Sequence, residues 1–280
     1  NPDWLLAHPL SVWLAPKASY PIVGGLLAQP WLPWVMSYAG LAFDLLVVPG
    51  LLWRRTRPWA FGLAAFFHLS NVVIFGLGTF PWFSLLMTAC VFFRPDWPRR
   101  TPLLRRWLLP RLPAAAGLAD GPVLPPPARV RLLVAGLGLY AAVQLLVPLR
   151  HFFYPGDVHW TEEGHHFAWH MMLRAKHGSV AFRVVLPDGR TEVVYPDAYL
   201  TRRQCQKLAA QPDLLLQFAH FLAAEYARQG RGHVQVYADS WLVMNRRPAR
   251  ALVRPDVDLA AQPRSMALYD WITPAPPMEE

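Results

Sequence analysis

The sequence predicts a multi-span α-helical membrane domain followed by a small extracytoplasmic α+β domain. Residues 59–93 contain no Asp, Glu, Lys or Arg, and a stretch this apolar matches lipid better than a soluble core. Charged residues make up only 16% of the chain, below the share of about 25% that is usual in soluble domains. After residue 150 the apolar runs give way to alternating strand patterns. We therefore expect the membrane domain in residues 1–149 and the second domain in residues 150–280.

The first segment, residues 1–33, is rich in proline, which prevents a long helix and predicts short helical turns at the membrane interface. Its prolines are Pro2, Pro9, Pro16, Pro21, Pro30 and Pro33. Lys17, in the string WLAPKASYP, is the only lysine before Lys176. The chain opens on Asn1 in the middle of this pattern, so we expect that a preceding segment contributes further helices to the membrane domain.

Four segments have the apolar character of membrane spans. They lie near residues 34–53, 59–75, 80–93 and 130–149. Residues 59–93 are too long for one crossing, because about 20 residues already cross roughly 30 Å of hydrocarbon. Gly76, Gly78 and Pro81 mark the predicted break between two helices.

Basic loops predict the orientation of these spans. Arg54–Arg57 and the proline-rich connector 94–128 carry clusters of arginine. With two spans in residues 59–93, both basic loops face the cytoplasm, and the last span delivers residues 150–280 to the extracytoplasmic side. The net charge of +9 could suggest binding to nucleic acid, but the arginines cluster beside apolar segments. We therefore interpret this charge as a topology signal and expect no nucleic-acid partner.

The pattern of the second domain predicts two β-hairpins with a helical segment between them. One hairpin is predicted around Asp188–Gly189, with period-two alternation on both sides. Residues 201–229 read as helix, with Thr201 as N-cap and an interruption at Pro212. A second hairpin around Asn245–Pro248 would bring the domain to roughly four strands.

Polar residues inside the apolar segments are the first candidates for a site. His68 and Asn71 are three residues apart and share one helix face. Such groups in hydrocarbon mark a site when they face a polar interior, although hydrogen bonding between helices explains them equally well. Asp44, near the middle of a predicted span, needs a partner, and we interpret it as structural or as support for the site.

A histidine-rich stretch follows the last predicted span. It comprises His151, Asp157, His159, Glu162, Glu163, His165, His166 and His170. No HExxH, CxxC or His–carboxylate pattern of a known metal site fits it, so we assign no metal. We interpret the stretch as a polar lip where the span meets the second domain, with Trp160 and Trp169 as interface or pocket walls.

Four strings resemble a known family of membrane enzymes. They are SYAGLAFDLLVVPGLLWRRTRP, FFHLSNVVIFGLGTFPW, FFRPDWPRR and RHFFYPGDVHWTEEGHHFAWHMMLR. They look like segments of the vitamin K-dependent gamma-glutamyl carboxylases, and are most similar to bacterial relatives with the horizontally transferred transmembrane (HTTM) domain. The resemblance runs from Asn1 to about Trp271. It implies that residues 1–149 are the C-terminal part of an HTTM-like domain in an integral, multi-pass membrane protein.

The resemblance implies an activity and its cofactor. In the family, epoxidation of vitamin K hydroquinone by O2 is coupled to carboxylation of a peptide glutamate by CO2. The implied partners are membrane lipid and a Glu-containing peptide or protein, and the implied enzyme class is a carboxylase-like lyase.

The resemblance also implies site residues. Lys17 corresponds to the base that activates the hydroquinone. His68 and Asn71 match the polar intramembrane pair near the quinone, so both are candidates for catalysis and for cofactor binding. Three further cofactor-binding candidates lie where the outer domain of the family closes over the site. They are Trp160, His165 and Trp169.

Two other functions stay open. One is a membrane enzyme that epoxidises a quinone and carboxylates nothing. The other is a non-enzymatic membrane module whose outer domain binds a partner, with His68, Asn71 and Asp44 only holding helices together.

Overall fold

The computed structural model describes residues 2–93, 126–265 and 267–277. The predicted connector 94–128 therefore lies outside the described residues up to residue 125. The chain divides into two compact units. The membrane unit is Trp13–Gly136, and the C-terminal unit is Asn1–Val12 together with Leu137–Glu280.

The N-terminal stretch forms short helical pieces, as its prolines predict. Helix α1 spans Pro2–Leu5 and α2 spans His8–Leu14. A 3₁₀ turn at Ala15–Ser19 carries Lys17, and α3 follows at Gly24–Leu27. This arrangement confirms that no long helix precedes the first span within the described part of the chain.

Three helices of the described chain are long and apolar enough to cross a membrane. They are α4 (Leu32–Leu52), α5 (Arg57–Phe75) and α7 (Pro127–Leu149). Helix α6, the fourth predicted segment, spans Phe80–Phe92 and has 13 residues. At 1.5 Å per residue it covers only about 20 Å, less than the hydrocarbon core of a bilayer.

The predicted break within residues 59–93 is confirmed. Helix α5 ends at Gly76, which adopts the left-handed conformation with φ of 62°. Its N–H donates to the carbonyl of Val72 at 3.0 Å, which closes the last turn in the way that glycine favours. The chain then turns, so that α6 packs against α5 while α4 packs against the same helix.

The C-terminal unit is built on a three-stranded antiparallel sheet. Its strands are β1 (Lys176–Val185), β2 (Thr191–Val194) and β3 (Gln235–Met244), in the order β2-β1-β3. Strands β1 and β2 form the hairpin predicted around Asp188–Gly189. This confirms the α+β class, because helices cover the sheet.

Two helices pack on this sheet after the short helix α8 (Val158–Thr161). Helix α9 spans Arg202–Ala210 and α10 spans Pro212–Arg228, so Pro212 interrupts the predicted helix where expected. The Thr201 N–H donates to the side chain of Gln204 at 2.9 Å, part of the capping box that starts α9. The largest fully buried core side chains include Trp160, Phe182, Leu215, Leu222, Leu242 and Trp271.

The chain turns back around the predicted residues Asn245–Pro248, but the prediction of roughly four strands was wrong, because the described sheet has three. After β3 the chain returns for a single bridge, between Leu242 and Arg250. Beyond that bridge the backbone N–H groups of Leu252 and Val253 donate to Oγ of Ser240, at 3.1 and 3.2 Å. A side chain thus takes donors that a ladder would use, and the described sheet ends at three strands.

Candidate functional site

Helix α5 carries the polar pair that the sequence singled out. His68, Asn71 and Phe75 stand at positions i, i+3 and i+7, so they form one stripe along the helix. The stripe is about 10 Å long, since each residue advances 1.5 Å. His68 and Asn71 are both half-buried. The helix therefore places two polar groups on one partly covered face.

The imidazole of His68 lies among aromatic rings. Its ring centroid is 5.6 Å from that of Phe67 and 6.2 Å from those of Phe43 and Phe80, all in edge-on arrangements. Its Nε2 lies 3.2 Å from Oγ of Ser84 on α6. This hydrogen bond, in an apolar and aromatic environment, fixes the orientation of the His68 ring.

Asp44 is exposed on α4. Its carboxylate interacts electrostatically with the His68 imidazole. Among the described residues, His68 is therefore the partner that this carboxylate needs in an apolar segment, and it ties Asp44 to the polar stripe of α5.

Lys17 lies at the Phe75 end of this stripe. Its Nζ is 5.9 Å from the centroid of the Phe75 ring and 5.3 Å from that of Tyr20. Rings at these distances hold a cation over their faces. The three predicted catalytic residues, Lys17, His68 and Asn71, therefore belong to one region of the membrane unit, with Phe75 linking the lysine to the helix face.

The C-terminal unit holds the other predicted residues in contrasting environments. Trp160 has 0% of its surface exposed, and its indole N–H donates to the carbonyl of Thr273 at 2.8 Å. Trp169 is 72% exposed. Trp160 is thus a core residue that supports the loop, and of the two tryptophans only Trp169 presents its ring at the surface.

The histidine-rich stretch folds into a tight group. His159, His165 and His170 bring one ring nitrogen each to within 4.8 Å of the others. His159 is buried on α8, while His165 and His170 are half-buried on the loop that follows. This loop contains four non-glycine residues with positive φ, which is a costly backbone for such side chains. They are Glu162, Phe167, Trp169 and Met172.

The environment keeps these imidazoles uncharged near neutral pH. Burial lowers the pKa of His159 to about 4, with the Asp157 carboxylate acting in the opposite direction. Burial also lowers the pKa of His165 to about 3, and the positive charge of Arg174 adds to this effect. The pKa of His170 is lowered as well, first by burial. Neutral imidazole has a ring nitrogen lone pair that can accept a hydrogen bond or bind a metal.

A buried ion pair stands beside this group. Nζ of Lys176 donates to Glu162 Oε1 at 2.8 Å and to the carbonyls of Trp160 and Ala210 at 3.0 and 3.2 Å. Its side chain is only 5% exposed. Burial lowers the pKa of Lys176 to about 8, although the Glu162 charge opposes this shift. The pair joins the end of α8 to the end of α9.

Sequence reasoning missed three features of these sites. Ser84 was read only as part of an apolar helix, although a hydroxyl in such a segment signals a polar neighbour. Lys176 was not singled out, although it comes soon after the end of the histidine-rich stretch at His170. The grouping of three particular histidines was not predicted, because their six- and five-residue spacings match no single helix or strand period.

Two family models match the chain. The model described as HTTM domain matches residues 1–97. The model described as vitamin K-dependent gamma-carboxylase, lumenal domain, matches residues 129–277, more than half of the chain. No solved structure matches.

Proposed function

Since the chain belongs to the vitamin K-dependent gamma-carboxylase family and carries its HTTM domain, we propose that it couples oxidation of a reduced vitamin K by O2 to carboxylation of a peptide glutamate by CO2. The observation that carries this proposal is the α5 stripe, which presents His68 and Asn71 on one face with Lys17 near its end. The chain is a membrane protein, and we propose that residues 150–280 are extracytoplasmic, as the lumenal domain of the family model and the basic loops both support.

The residues present fit an apolar quinone. Binding sites for such molecules are mostly apolar with a few placed polar groups. Here the rings of Phe43, Phe67 and Phe80 surround the His68 imidazole, and Ser84 fixes its orientation. When bound, reduced vitamin K supplies the reducing equivalents and the strong base that the family's reaction requires.

Each membrane residue has a proposed task. Nζ of Lys17 is the proton acceptor, and the rings of Tyr20 and Phe75 keep water from part of its surface. The imidazole of His68 and the amide of Asn71 orient the quinone ring and donate hydrogen bonds to negative charge on its oxygen. Asp44 supports His68 through the electrostatic interaction between them.

The C-terminal unit enters the proposal through Trp160, His165 and Trp169. The exposed ring of Trp169 offers a surface for contact with an apolar ligand. Trp160 has no exposed surface. Its proposed part is therefore to support the loop from within the core. Contact of His165 with the quinone is a prediction from the family resemblance.

The test follows two products in one tube. The full-length protein in nanodiscs receives reduced vitamin K and O2, and we would measure the epoxide together with fixation of labelled CO2 into a Glu-containing peptide. Epoxide with fixation supports the proposal, whereas epoxide alone assigns an oxidase that carboxylates nothing. Absence of both products, with no quinone binding, leaves a membrane module that binds a partner.

Variants locate the activity within the membrane unit. Lys17→Ala is expected to lower turnover by about 100-fold or more, the usual contribution of a positioned base. Lys207→Ala is the matched control, because Lys207 is exposed on α9, and it should retain full turnover. Unchanged turnover in Lys17→Ala would show that the base is assigned to the wrong residue.

A further inference from the structure

Three histidines of the C-terminal unit converge although the chain separates them. The ring centroids of His159 and His170 are 4.7 Å apart, those of His165 and His170 are 5.6 Å apart, and those of His159 and His165 are 6.4 Å apart. The closest set of ring nitrogens, one from each residue, lies within 4.8 Å. Three side chains with the same chemistry therefore point at one small volume.

The Nδ1 atoms of these residues have no hydrogen-bond partner among the described residues. All three are shielded from solvent. A buried polar atom without a partner is energetically costly, and such atoms are few in native structures. Three of them in one group, from residues that already face one another, require a common explanation.

We propose that His159, His165 and His170 bind a divalent transition-metal ion, with zinc as the preferred ion and one coordination position left to water or another ligand. Imidazole nitrogen suits zinc, copper, iron and nickel, whereas magnesium and calcium require oxygen ligands. Three histidines with an open fourth position form a known type of zinc site. The inference does not rest on the proposed quinone chemistry.

The distances allow the ion to enter with small movements. In a tetrahedral site with Zn–N bonds of 2.0–2.1 Å, donor atoms lie about 3.3 Å apart. The ring nitrogens, within 4.8 Å of one another, therefore have to approach by no more than about 1.5 Å. Rotation of the half-buried His165 and His170 rings can supply this movement, since terminal torsions of histidine are broad.

The surroundings are compatible with a cation. Arg174 acts electrostatically on all three imidazoles, but its guanidinium is paired with Glu162 at 2.9 Å. The Asp157 carboxylate acts on His159 with the opposite sign. Nδ1 of His151 is bonded to the carbonyl of Pro148 at 2.7 Å, which distinguishes it from the three converging histidines.

The proposal gives the strained loop a function. Non-glycine residues with positive φ persist only where the surrounding structure determines them. An ion held by α8 at His159 and by the loop at His165 and His170 would fix both ends of the segment that contains Phe167 and Trp169. It assigns His165 to the metal, in place of the quinone contact that the family resemblance implies.

The test measures metal directly. The full chain in detergent is stripped with a chelator, titrated with zinc alone, and analysed for bound metal after desalting. We expect about one zinc per chain, with an affinity that falls about 100-fold or more in His159→Ala, His165→Ala and His170→Ala. His166→Ala is the matched control, because His166 neighbours His165 but is exposed and outside the group, and it should bind as the parent does.

Cobalt binding to a cysteine variant distinguishes loss of a metal ligand from loss of the folded structure. His170→Cys keeps a ligand of a kind that zinc accepts, so it should retain metal and show a thiolate-to-cobalt absorption band that the parent lacks. No stoichiometric binding by the parent would overturn the proposal and leave water as the occupant. Equal loss in His166→Ala, or no thiolate band in a folded, cobalt-bound His170→Cys, would also overturn it.

Discussion

Nε2 of His68 lies 3.2 Å from Oγ of Ser84, so a hydrogen bond joins α5 to α6 across the break at Gly76. The two residues are sixteen positions apart in the sequence. A hydrogen bond between helices in an apolar surround stabilises their packing and holds each side chain in one orientation. The orientation of the proposed quinone ligand His68 therefore depends on a helix that is too short to be a typical span.

Removal of the Ser84 hydroxyl should weaken quinone binding without unfolding the protein. We expect Ser84→Ala to raise the KM for reduced vitamin K by roughly 5-fold, which corresponds to about 1 kcal/mol for one lost hydrogen bond. Epoxide formation over a range of quinone concentrations measures this change.

The matched control for this prediction is Thr88→Val on the same helix. In the part of the chain that the structure describes, the hydroxyl of Thr88 donates to the carbonyl of Ser84, one turn away, at 2.8 Å. Loss of this hydroxyl should leave KM near the parent value. Equal effects of the two substitutions on KM would mean that any change in α6 perturbs quinone binding, and that the hydrogen bond between Ser84 and His68 has no specific effect.

The membrane helices were predictable because their signals are local. A run of apolar residues, a glycine that closes α5 and a proline at the start of α6 each act within one or two turns. The same holds for the first hairpin, the start of α9 at Thr201 and the break at Pro212. These features need no knowledge of distant residues.

The contacts of the candidate sites and the last predicted strand depend on distant residues. Ser240 diverts the backbone of Leu252 and Val253, and no local pattern marks a serine in a strand as an acceptor. The partners of Lys176 come from α8 and α9. Sequence periodicity indicates which face a residue occupies, but it does not identify the group that meets it.

Gly24 should be intolerant of a side chain. A Cβ atom at this position would clash with the carbonyl oxygen of Ala18, next to Lys17, whereas a Cβ at Gly25 would meet nothing within 4 Å. Gly24→Ala must therefore displace the turn that carries Lys17. A displacement near 1 Å of a catalytic group can lower turnover by about 100-fold, and Gly25→Ala should retain activity. Epoxide formation by both variants tests the position of Lys17, and similar turnover in the two would contradict it.

Asp3 links helix α1 to the rest of the C-terminal unit, to which residues 1–12 belong. It is 2% exposed, accepts from Asn245 Nδ2 at 2.6 Å, and pairs with Arg247 at 3.2 Å. Asp3→Ala leaves buried donors with fewer partners and should lower the free energy of unfolding by about 2 kcal/mol. Thermal unfolding followed by tryptophan fluorescence measures the loss.

The control for Asp3 is an exposed ion pair. Asp188 pairs with Arg190 at 2.7 Å, but both side chains are about half or more exposed, and such pairs contribute little. Asp188→Ala should change the unfolding temperature only slightly. A comparable loss in both variants would argue against a special role for the buried anchor.

Lys176 should make stability rise with pH between about 8 and 10.5. Burial lowers its pKa to about 8 in the folded protein from 10.5, so the unfolded chain binds more protons in this window and stability increases as pH rises. The shift corresponds to roughly 3 kcal/mol at most. Unfolding temperatures of the parent across this range should therefore climb relative to those of Lys176→Met, which lacks the titrating group. Lys207→Met removes an exposed lysine and should follow the parent, and identical pH profiles for Lys176→Met and the parent would show that the amine is not the source of the dependence.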